Sequence, residues 1–406
     1  MLDEKLRQYQ REVEREVLGN ILPFWINNAI DNENGGFYTH ISNDLTVHKD
    51  APRGSVLFSR ILWTFARAYN IYRNPLYLLI AKRAAQYLEN HFIDEEFGGV
   101  YWSVDYKGCP IECKKQIYAQ AFAIYGLSEY YAAAGYQKTL NQLQEIFQHL
   151  EQFAYDGVYK GFYDACHRDW SLDQDMRLSA KDLNSRKSMN TNLHILEAYS
   201  NLLRVWPNSV LKDKLRELTH TLMENVIDKR TNHLKLYFDD NWRTLNDHIS
   251  YGHDIEGSWL LLETARELQD PVILEKVKEV SIKMARTVYQ EGMDSQGGII
   301  NDGNNGGDTG FDREWWPQAE AMVGFLNAYQ ITEEEIFLDA SLKVWNFVKN
   351  YFIDNEHGEW FHSVDKNGKI INCDKVEFWK CPYHNSRACF EVKKRLESIL
   401  AQKLLH

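Results

Sequence analysis

A motif that recurs six times along the chain constrains its fold more than any other feature. The motif is a turn, usually containing Gly, followed by a short aromatic or apolar strand, and successive copies start roughly 60–70 residues apart. This signal predicts a short β-hairpin in each copy, with a period longer than that of common solenoid repeats. The six copies are residues 31–38, 94–101, 159–163, 231–237, 294–300 and 354–361.

Two helices fit between consecutive hairpins, and hydrophobic periodicity predicts two kinds of helix. One set is amphipathic, as expected for helices with one side in water, and covers residues 2–25, 76–92, 140–153, 211–227, 273–289 and 334–352. The other set is apolar nearly all round, as buried helices are, and covers residues 60–72, 117–131, 189–205, 253–268, 316–329 and 384–400. The alternation predicts an all-α fold, an (α/α)6 barrel of six inner and six outer helices with short β-hairpins at one end.

The repeat runs without a Pro-rich or Gly/Ser-rich linker, so we expect residues 1–406 to form a single (α/α)6-barrel catalytic domain. One long irregular segment interrupts the regular pattern. It is the Gly- and Asp-rich loop 301–312, which we expect to be a lid or simply a mobile loop.

Charge and hydropathy exclude two classes of partner. The net charge of −12 is unlike the clustered positive charge that nucleic-acid binding needs. The sequence has no run of 18 apolar residues that would span a membrane, and its N-terminus lacks the layout of a signal peptide. We therefore expect a cytoplasmic protein with no nucleic-acid partner and no membrane partner.

Polar residues at the starts of the inner helices would share one pocket, because all inner helices of such a barrel begin at the same rim. His253 and Glu256 are three residues apart at one such start, so they face the same way. His194, His384 and Arg60 occupy comparable positions on other inner helices, and three histidines at matching helix ends indicate a site rather than core packing. Further candidates at the rim for substrate binding are Tyr118, Phe122, Asn190, Trp315, Trp316, Glu320, Trp379 and Asn385.

Two of these residue types also have structural explanations. Glu256 and Glu320 would stabilise the positive ends of their helices whatever their function. Arg60 would equally suit an ion pair with a carboxylate at the rim.

Five motifs together resemble a known family. They are SRILW, MNTNLHILEAY, SYGHDIEGSWLL, WWPQAEAMVGFLNAYQ and WKCPYHNSRACFE, within a match over about residues 22–392. The combination resembles the cellobiose 2-epimerases of the N-acylglucosamine 2-epimerase superfamily. The resemblance implies a cytoplasmic, cofactor-independent enzyme that interconverts a 4-O-linked glucose disaccharide, such as cellobiose, and its mannose counterpart. Mannose 2-epimerases are similar in these motifs, so the length of the sugar stays open.

The chemistry assigns roles to the ionisable residues. Inversion at C2 of a reducing sugar requires ring opening and removal of a C–H proton made acidic by the C1 aldehyde, for which a neutral imidazole is suited. The resemblance places the acid/base pair at His253 and His384, and Glu256 is expected to hold the tautomer of His253. We expect His194 to hydrogen-bond sugar hydroxyls or assist ring opening, and Arg60 to stabilise the oxyanion.

The remaining expectations concern ligands and alternatives. Trp316 and Trp379 are expected to stack on sugar rings, with Tyr118 and Asn190 completing the contacts. We expect no metal and no cofactor, a small sugar as the ligand, and a monomer or weak homodimer. The alternatives are an aldose–ketose isomerase, a glycoside hydrolase, which would need two suitably spaced carboxyl groups, and a sugar-binding protein without catalysis.

Overall fold

The computed structural model describes residues 2–304, 312–371 and 373–403. Its helices, in chain order, are α1 (Leu2–Glu16), α2 (Leu22–Asn28), α3 (Ser55–Tyr72), α4 (Pro75–Tyr87), α5 (Ile117–Ala134), α6 (Gln137–His149), α7 (Met189–Val205), α8 (Ser209–Thr221), α9 (Tyr251–Leu268), α10 (Pro271–Thr287), α11 (Trp315–Thr332), α12 (Glu335–Tyr351) and α13 (Tyr383–Lys403). Residues 305–311 of the loop predicted at 301–312 lie outside the described residues.

These helices form the predicted double ring. The inner helices α3, α5, α7, α9, α11 and α13 each pack against the next, and α13 packs against α3, so the inner ring closes. The outer helices pack on them, and α1 covers α13. The (α/α)6 barrel predicted from the alternating pattern is therefore confirmed.

A single π-helical turn follows five of the outer helices, and it leads into α2 after α1 and into a hairpin after the other four. π-helical segments are rare and occur mostly as single turns within α-helices. They follow α1, α4, α6, α8 and α10 at Val17–Ile21, Leu88–Phe92, Leu150–Ala154, Leu222–Val226 and Val288–Gly292. Among the described helices, none has the length and apolar character that crossing a bilayer requires.

All six predicted hairpins are present, each closed by one antiparallel bridge. The bridges join Ile30 to Phe37, Ile93 to Val100, Tyr155 to Phe162, Ile227 to Leu234, Met293 to Ile299 and Ile353 to Trp360. Short antiparallel strands also link neighbouring repeats: β1 (Arg53–Gly54) with β2 (Ser103–Val104) and β3 (Pro110–Glu112), β4 (Lys115–Gln116) with β5 (Ala165–Cys166), β6 (Lys187–Ser188) with β7 (Tyr237–Phe238), β8 (His248–Ser250) with β9 (Asp302–Asn304), and β10 (Arg313–Glu314) with β11 (Ser363–Val364). A bridge between Ile41 and Val376 joins the last repeat to the first.

A buried ion pair fixes most hairpins to the segment that leads into an inner helix. In each pair the first Asp of the hairpin binds a basic residue, which in four of the five repeats is the first residue of the short strand directly before the inner helix. The pairs are Asp31 with Arg53, Asp94 with Lys115, Asp156 with Lys187, Asp294 with Arg313, and Asp354 with Lys375. Because each basic residue lies within ten residues of its helix, these contacts fix where the inner helices begin.

The fourth repeat, which carries His253, departs from this arrangement. Its hairpin is held by Asp254 of α9, whose carboxylate accepts the backbone N–H of Leu234 at 2.7 Å and lies 2.7 Å from His233 Nδ1. Asp254 is thereby turned to the hairpin rather than to the barrel axis. The neighbouring His253 is left to face the mouth.

Candidate active site

The three histidines predicted at the barrel mouth are each anchored through Nδ1. The partners are Glu197 Oε2 for His194 at 2.9 Å, Ser250 Oγ for His253 at 2.8 Å, and Glu320 Oε1 for His384 at 2.6 Å. Within the described residues, the Nε2 atoms have no hydrogen-bond partner. The arrangement leaves one ring nitrogen of each histidine for a ligand.

His253 lies in the first turn of α9 against the indole of Trp316, with ring centroids 4.7 Å apart. Gly252 permits this contact, because a β-carbon there would lie 2.5 Å from the Trp316 ring. Burial lowers the pKa of His253 to about 3, and His194 and His248 act in the same direction. The ring is therefore neutral at neutral pH and able to accept a proton.

The predicted contact between Glu256 and His253 is not formed, so this prediction is wrong. Glu256 Oε1 accepts a hydrogen bond from Arg387 Nη2 at 2.6 Å, and Ser250 takes the place beside the imidazole. The physical reason is charge: a buried carboxylate gains more from a guanidinium than from a neutral ring. Burial, with a contribution from Glu320, raises the pKa of Glu256 to about 7.

Arg387 is the centre of a buried ion network that joins four inner helices. Its guanidinium donates to Glu197 of α7, Glu256 of α9 and Glu320 of α11, and the last two contacts are both 2.6 Å long. The Arg387 side chain is 1% exposed. We call Arg387, Glu197, Glu256 and Glu320 the arginine cluster.

His384 is attached directly to this cluster. Glu320 Oε1 accepts from both His384 Nδ1 and Arg387, while Glu320 Oε2 accepts from Trp259 Nε1 at 3.0 Å. Burial, with the positive charges of Arg60 and Arg387, lowers the pKa of His384 well below its ordinary value. His384 is therefore neutral, and a carboxylate neighbour fixes its Nδ1–H tautomer.

Arg60 brings a positive charge that is not matched by a carboxylate. Its Nη2 donates to the Tyr118 hydroxyl at 2.8 Å and its Nη1 to the Trp379 carbonyl at 3.4 Å. The guanidinium lies over the Phe122 ring at 4.3 Å and the Tyr383 ring at 5.0 Å. Because no ion pair binds Arg60 in the described part of the chain, its charge is available to a developing anion, and the alternative of a rim ion pair is not observed.

Aromatic rings connect the histidines along one wall. His194 contacts Tyr118 and Phe122, with ring centroids 5.0 and 4.8 Å away, and Tyr118 in turn meets Trp379 at 6.0 Å. On the other side Trp316 lies between His253 and His384, 5.7 Å from the latter. The predicted aromatic residues Tyr118, Phe122, Trp316 and Trp379 are thus brought together with the imidazoles.

Asn190 also reaches the region of His253. The two residues line one cavity beside Tyr237 and the segment 177–183. The Asn190 Oδ1 atom is buried and has no hydrogen-bond partner among the described residues. An unmatched acceptor of this kind suits a ligand hydroxyl.

Three residues predicted to bind substrate have other partners. Asn385 is fully buried and donates to both carboxylate oxygens of Glu359, because the sixth hairpin needs an anchor there. Trp315 is buried against His362, with centroids 4.7 Å apart. Both oxygens of Glu320 are occupied within the arginine cluster and by Trp259, so Glu320 contacts His384 rather than facing an open pocket.

Four residues that build the site are not among those predicted from the sequence: Glu197, Ser250, Tyr383 and Arg387. Glu197 carried a usable signal, since it follows His194 by three residues, as Glu256 follows His253. Tyr383, whose hydroxyl donates to Glu197 at 2.6 Å, and Ser250 lie directly before or at a helix start and have no distinctive spacing.

One group of side chains has the composition of a metal site. Ligand atoms of Glu256, Glu320 and His384 lie within 4.8 Å of one another. Arg387 Nη2, however, is 2.6 Å from both carboxylates and supplies the cation between them. The donor set therefore fits an arginine-centred ion network better than a metal centre.

The fold and these side chains define a class: helical double-ring barrels with ionisable side chains at the N-terminal ends of the inner helices. The model of the N-acylglucosamine 2-epimerase (GlcNAc 2-epimerase) family matches residues 36–388. The chain belongs to this family.

Relatives of known activity or structure are similar over almost the whole chain. A cellobiose 2-epimerase from Bacteroides fragilis is 44% identical, covering 96% of this chain and 99% of that protein. One from Dictyoglomus turgidum is 38% identical, covering 96% of this chain and all of the relative. The structure of the cellobiose 2-epimerase from Bacillus thermoamylovorans superposes with a TM-score of 0.92 at 37% identity, covering 96% of this chain and 100% of the other.

Proposed function

We propose that the protein is a sugar 2-epimerase that interconverts the reducing-end glucose and mannose residues of β-1,4-linked disaccharides. The substrates would be cellobiose, giving 4-O-β-D-glucosyl-D-mannose, and lactose, giving epilactose. The observation that carries the proposal is that three imidazoles at inner-helix starts, each anchored through Nδ1, are linked to one another by the rings of Phe122, Tyr383 and Trp316. The unpaired charge of Arg60 lies over two of these rings, Phe122 and Tyr383. Similarity over 96% of the chain to cellobiose 2-epimerases supports the disaccharide as substrate.

The reaction begins with opening of the sugar ring to expose the C1 aldehyde. His194 is suited to this step, because its Nε2 can exchange a proton with the anomeric hydroxyl. An imidazole then removes the C2 proton, and the electron pair of the C–H bond forms the enediolate. Return of a proton to the opposite face of C2 gives the epimer.

We assign the C2 proton transfers to His253 and His384. Both are held neutral by burial in the free protein, so either can accept the proton. Either the second imidazole delivers a proton to the other face, or the intermediate rotates past a single one. Trp316, which contacts both rings, would support the sugar between them.

Arg60 would stabilise the enediolate. A guanidinium without a carboxylate partner is attracted to negative charge that forms only during the reaction, so it lowers the barrier more than it tightens ground-state binding. Glu256 would act indirectly, by holding Arg387 and through it the carboxylates around His194 and His384.

The wider binding surface would involve aromatic faces and one amide. Trp379 and Tyr118 offer ring surfaces near Arg60, with Phe122 beneath its guanidinium. Asn190 Oδ1 is placed to accept a hydrogen bond from a sugar hydroxyl.

The proposal also includes expectations made from the sequence. The chemistry needs only imidazoles and a guanidinium, so no metal and no cofactor is required. We further propose one domain over residues 1–406, a cytoplasmic location and a monomer or weak homodimer.

Product analysis tests the proposal against its alternatives. Purified protein is incubated with cellobiose and, separately, with mannose, and the products are identified by NMR. A mannose-ended disaccharide supports the proposal. Free glucose would indicate a hydrolase, a ketose as main product an isomerase, conversion of mannose alone a monosaccharide epimerase, and binding without conversion a non-catalytic sugar-binding protein.

A further inference from the structure

Glu197 contacts His194 but has no role in the catalytic steps proposed above. It lies one helical turn after His194 on α7, and its side chain is 4% exposed. Its two carboxylate oxygens serve different partners. Oε2 faces His194 Nδ1 at 2.9 Å, while Oε1 accepts from the Tyr383 hydroxyl at 2.6 Å and from Arg387 Nη1.

These contacts determine where His194 carries its proton. An ionised carboxylate can only accept hydrogen bonds, so the nitrogen facing it must be Nδ1–H. Burial alone would raise the pKa of Glu197, but Arg387 and His194 outweigh it and lower that pKa to about 2, so Glu197 stays ionised. In the neutral ring, Nε2 then has a free lone pair directed away from Glu197.

We propose that Glu197 is a positioning residue for ring opening, which holds His194 in the Nδ1–H tautomer so that Nε2 can accept the proton of the anomeric hydroxyl. This inference rests on the proposed function. As the O1–H bond breaks, its electron pair forms the C1=O1 double bond, and the C1–O5 bond breaks with its pair moving to O5. The His194 imidazolium returns the proton to O5, so the step is balanced without any other reactant.

A purely structural role for Glu197 is the competing explanation, because the same carboxylate neutralises Arg387. Arg387 has two further carboxylate partners, Glu256 and Glu320, whereas Glu197 is the one acceptor that His194 Nδ1 has among the described residues. The two explanations therefore differ in what loss of the Glu197 charge does to His194.

The substitution Glu197→Gln reverses the predicted tautomer. Tyr383 and Arg387 both donate to one oxygen position, so the amide oxygen of the new side chain is drawn there. Its NH2 group then faces His194 and donates to Nδ1, which must become an acceptor. Nε2 carries the proton instead and cannot take one from the anomeric hydroxyl.

The experiment combines a spectroscopic and a kinetic measurement. The 15N shifts of labelled histidine, with the His194 signals assigned by their loss in His194→Asn, report the tautomer. Deuterium exchange at C2 is followed with cellobiose and with an analogue whose reducing residue lacks the 5-hydroxyl. With O4 in the glycosidic bond and O5 absent, this analogue cannot close a five- or six-membered ring and bypasses ring opening.

We expect Glu197→Gln to shift the His194 proton from Nδ1 to Nε2 and to lower kcat on cellobiose about 100-fold, the lower range for loss of a general acid–base. KM should change little, and exchange on the open-chain analogue should stay within a few-fold of the unaltered protein. Glu151→Gln is the matched control, because Glu151 is a partly buried carboxylate of the outer ring that also binds a tyrosine hydroxyl and a cation, Tyr199 and Lys214.

Two outcomes overturn the inference. One is an unchanged His194 tautomer in Glu197→Gln. The other is an equal loss on both substrates in a variant that folds as well as Glu151→Gln, which would make Glu197 a structural counterion only. If the unaltered protein fails to epimerise cellobiose, the proposed function is wrong, and the tautomer measurement still decides whether Glu197 positions His194.

Discussion

Two inner helices carry the same His-x-x-Glu spacing at their starts and use it differently. On α7, Glu197 binds His194 directly and Arg387 with its other oxygen. On α9, Glu256 binds Arg387 and does not contact His253, which is held by Ser250. Spacing therefore brings an imidazole and a carboxylate to one face of a helix, but the charges arriving from other helices decide whether they pair.

The difference extends to the two imidazoles assigned to C2 chemistry. His384 faces a carboxylate through Nδ1, which fixes its proton there and would stabilise an imidazolium. His253 faces a hydroxyl, which can donate or accept, so its tautomer is free to change. We infer that the two rings are chemically unequal, with His384 suited to accept a proton and His253 able to hold one at either nitrogen.

The largest effect is expected from replacing Arg387, which binds the glutamate of both helices. Arg387→Met leaves three buried carboxylates without their cation, which should lower the free energy of unfolding by about 3–5 kcal/mol. Urea unfolding measures this loss. The same substitution at Arg67, whose ion pairs are longer and partly exposed, should cost less. Equal losses of unfolding free energy in the two variants would show that the ion network around Arg387 stabilises the fold no more than the ion pairs of Arg67 do.

The next effect concerns the carboxylate beside His384. Glu320→Gln keeps an oxygen at the position that Arg387 and His384 share, but it removes the negative charge that would stabilise a His384 imidazolium and turns an NH2 group toward Trp259 Nε1–H. We expect kcat on cellobiose to fall about 100-fold or more, with a smaller change in KM. Steady-state kinetics on a folded variant checks this. A kcat within a few-fold of the unaltered protein would show that the charge of Glu320 does not support His384 as the proton acceptor.

A smaller effect is expected at the hydroxyl beside His253. Ser250→Ala removes one neutral hydrogen bond, which is typically worth about 0.5–1.5 kcal/mol, so turnover should fall about 10-fold or less. Ser250→Thr keeps the hydroxyl and should recover most of the rate. If Ser250→Ala lowered kcat as much as Glu320→Gln does, the claim that His253 and His384 are chemically different would be contradicted.

The smallest effect, taken over a single pH unit, is on the pH dependence of stability. His253 binds a proton more readily in the unfolded chain than in the folded protein, where burial lowers its pKa to about 3. Stability should therefore fall as pH drops below about 6.5, by at most about 1.4 kcal/mol per pH unit for this one group. Urea unfolding of His253→Gln should show a shallower fall over this range, with His220→Gln on the outer surface as control. If the free energy of unfolding changed with pH equally in the unaltered protein and both variants, His253 could not be a buried, neutral imidazole.

Much of the fold could be predicted because it depends on local patterns repeated six times. The hairpins have turn residues at regular intervals, and the two kinds of helix differ in how much of their surface is apolar. The pairing of Asp94 with Lys115, and its counterparts in other repeats, could not be predicted, because it depends on which residues meet at the rim.

The site was predictable in its members but less so in its contacts. His194, His253, His384 and Arg60 share a position relative to their helices, and the structure brings them together. The roles of Glu197 and Glu256 depend on Arg387, which reaches the cluster from the last inner helix. Contacts of that kind join residues more than a hundred positions apart, and neither periodicity nor spacing reports them.

The central claim is that His253 and His384 transfer the C2 proton of an aldose. Deuterium incorporation at C2 in deuterated water, followed by NMR with cellobiose, tests it most directly. We predict exchange in the unaltered protein and its loss in both His253→Ala and His384→Ala, each with its fold intact. Retained exchange in both single variants would contradict the claim.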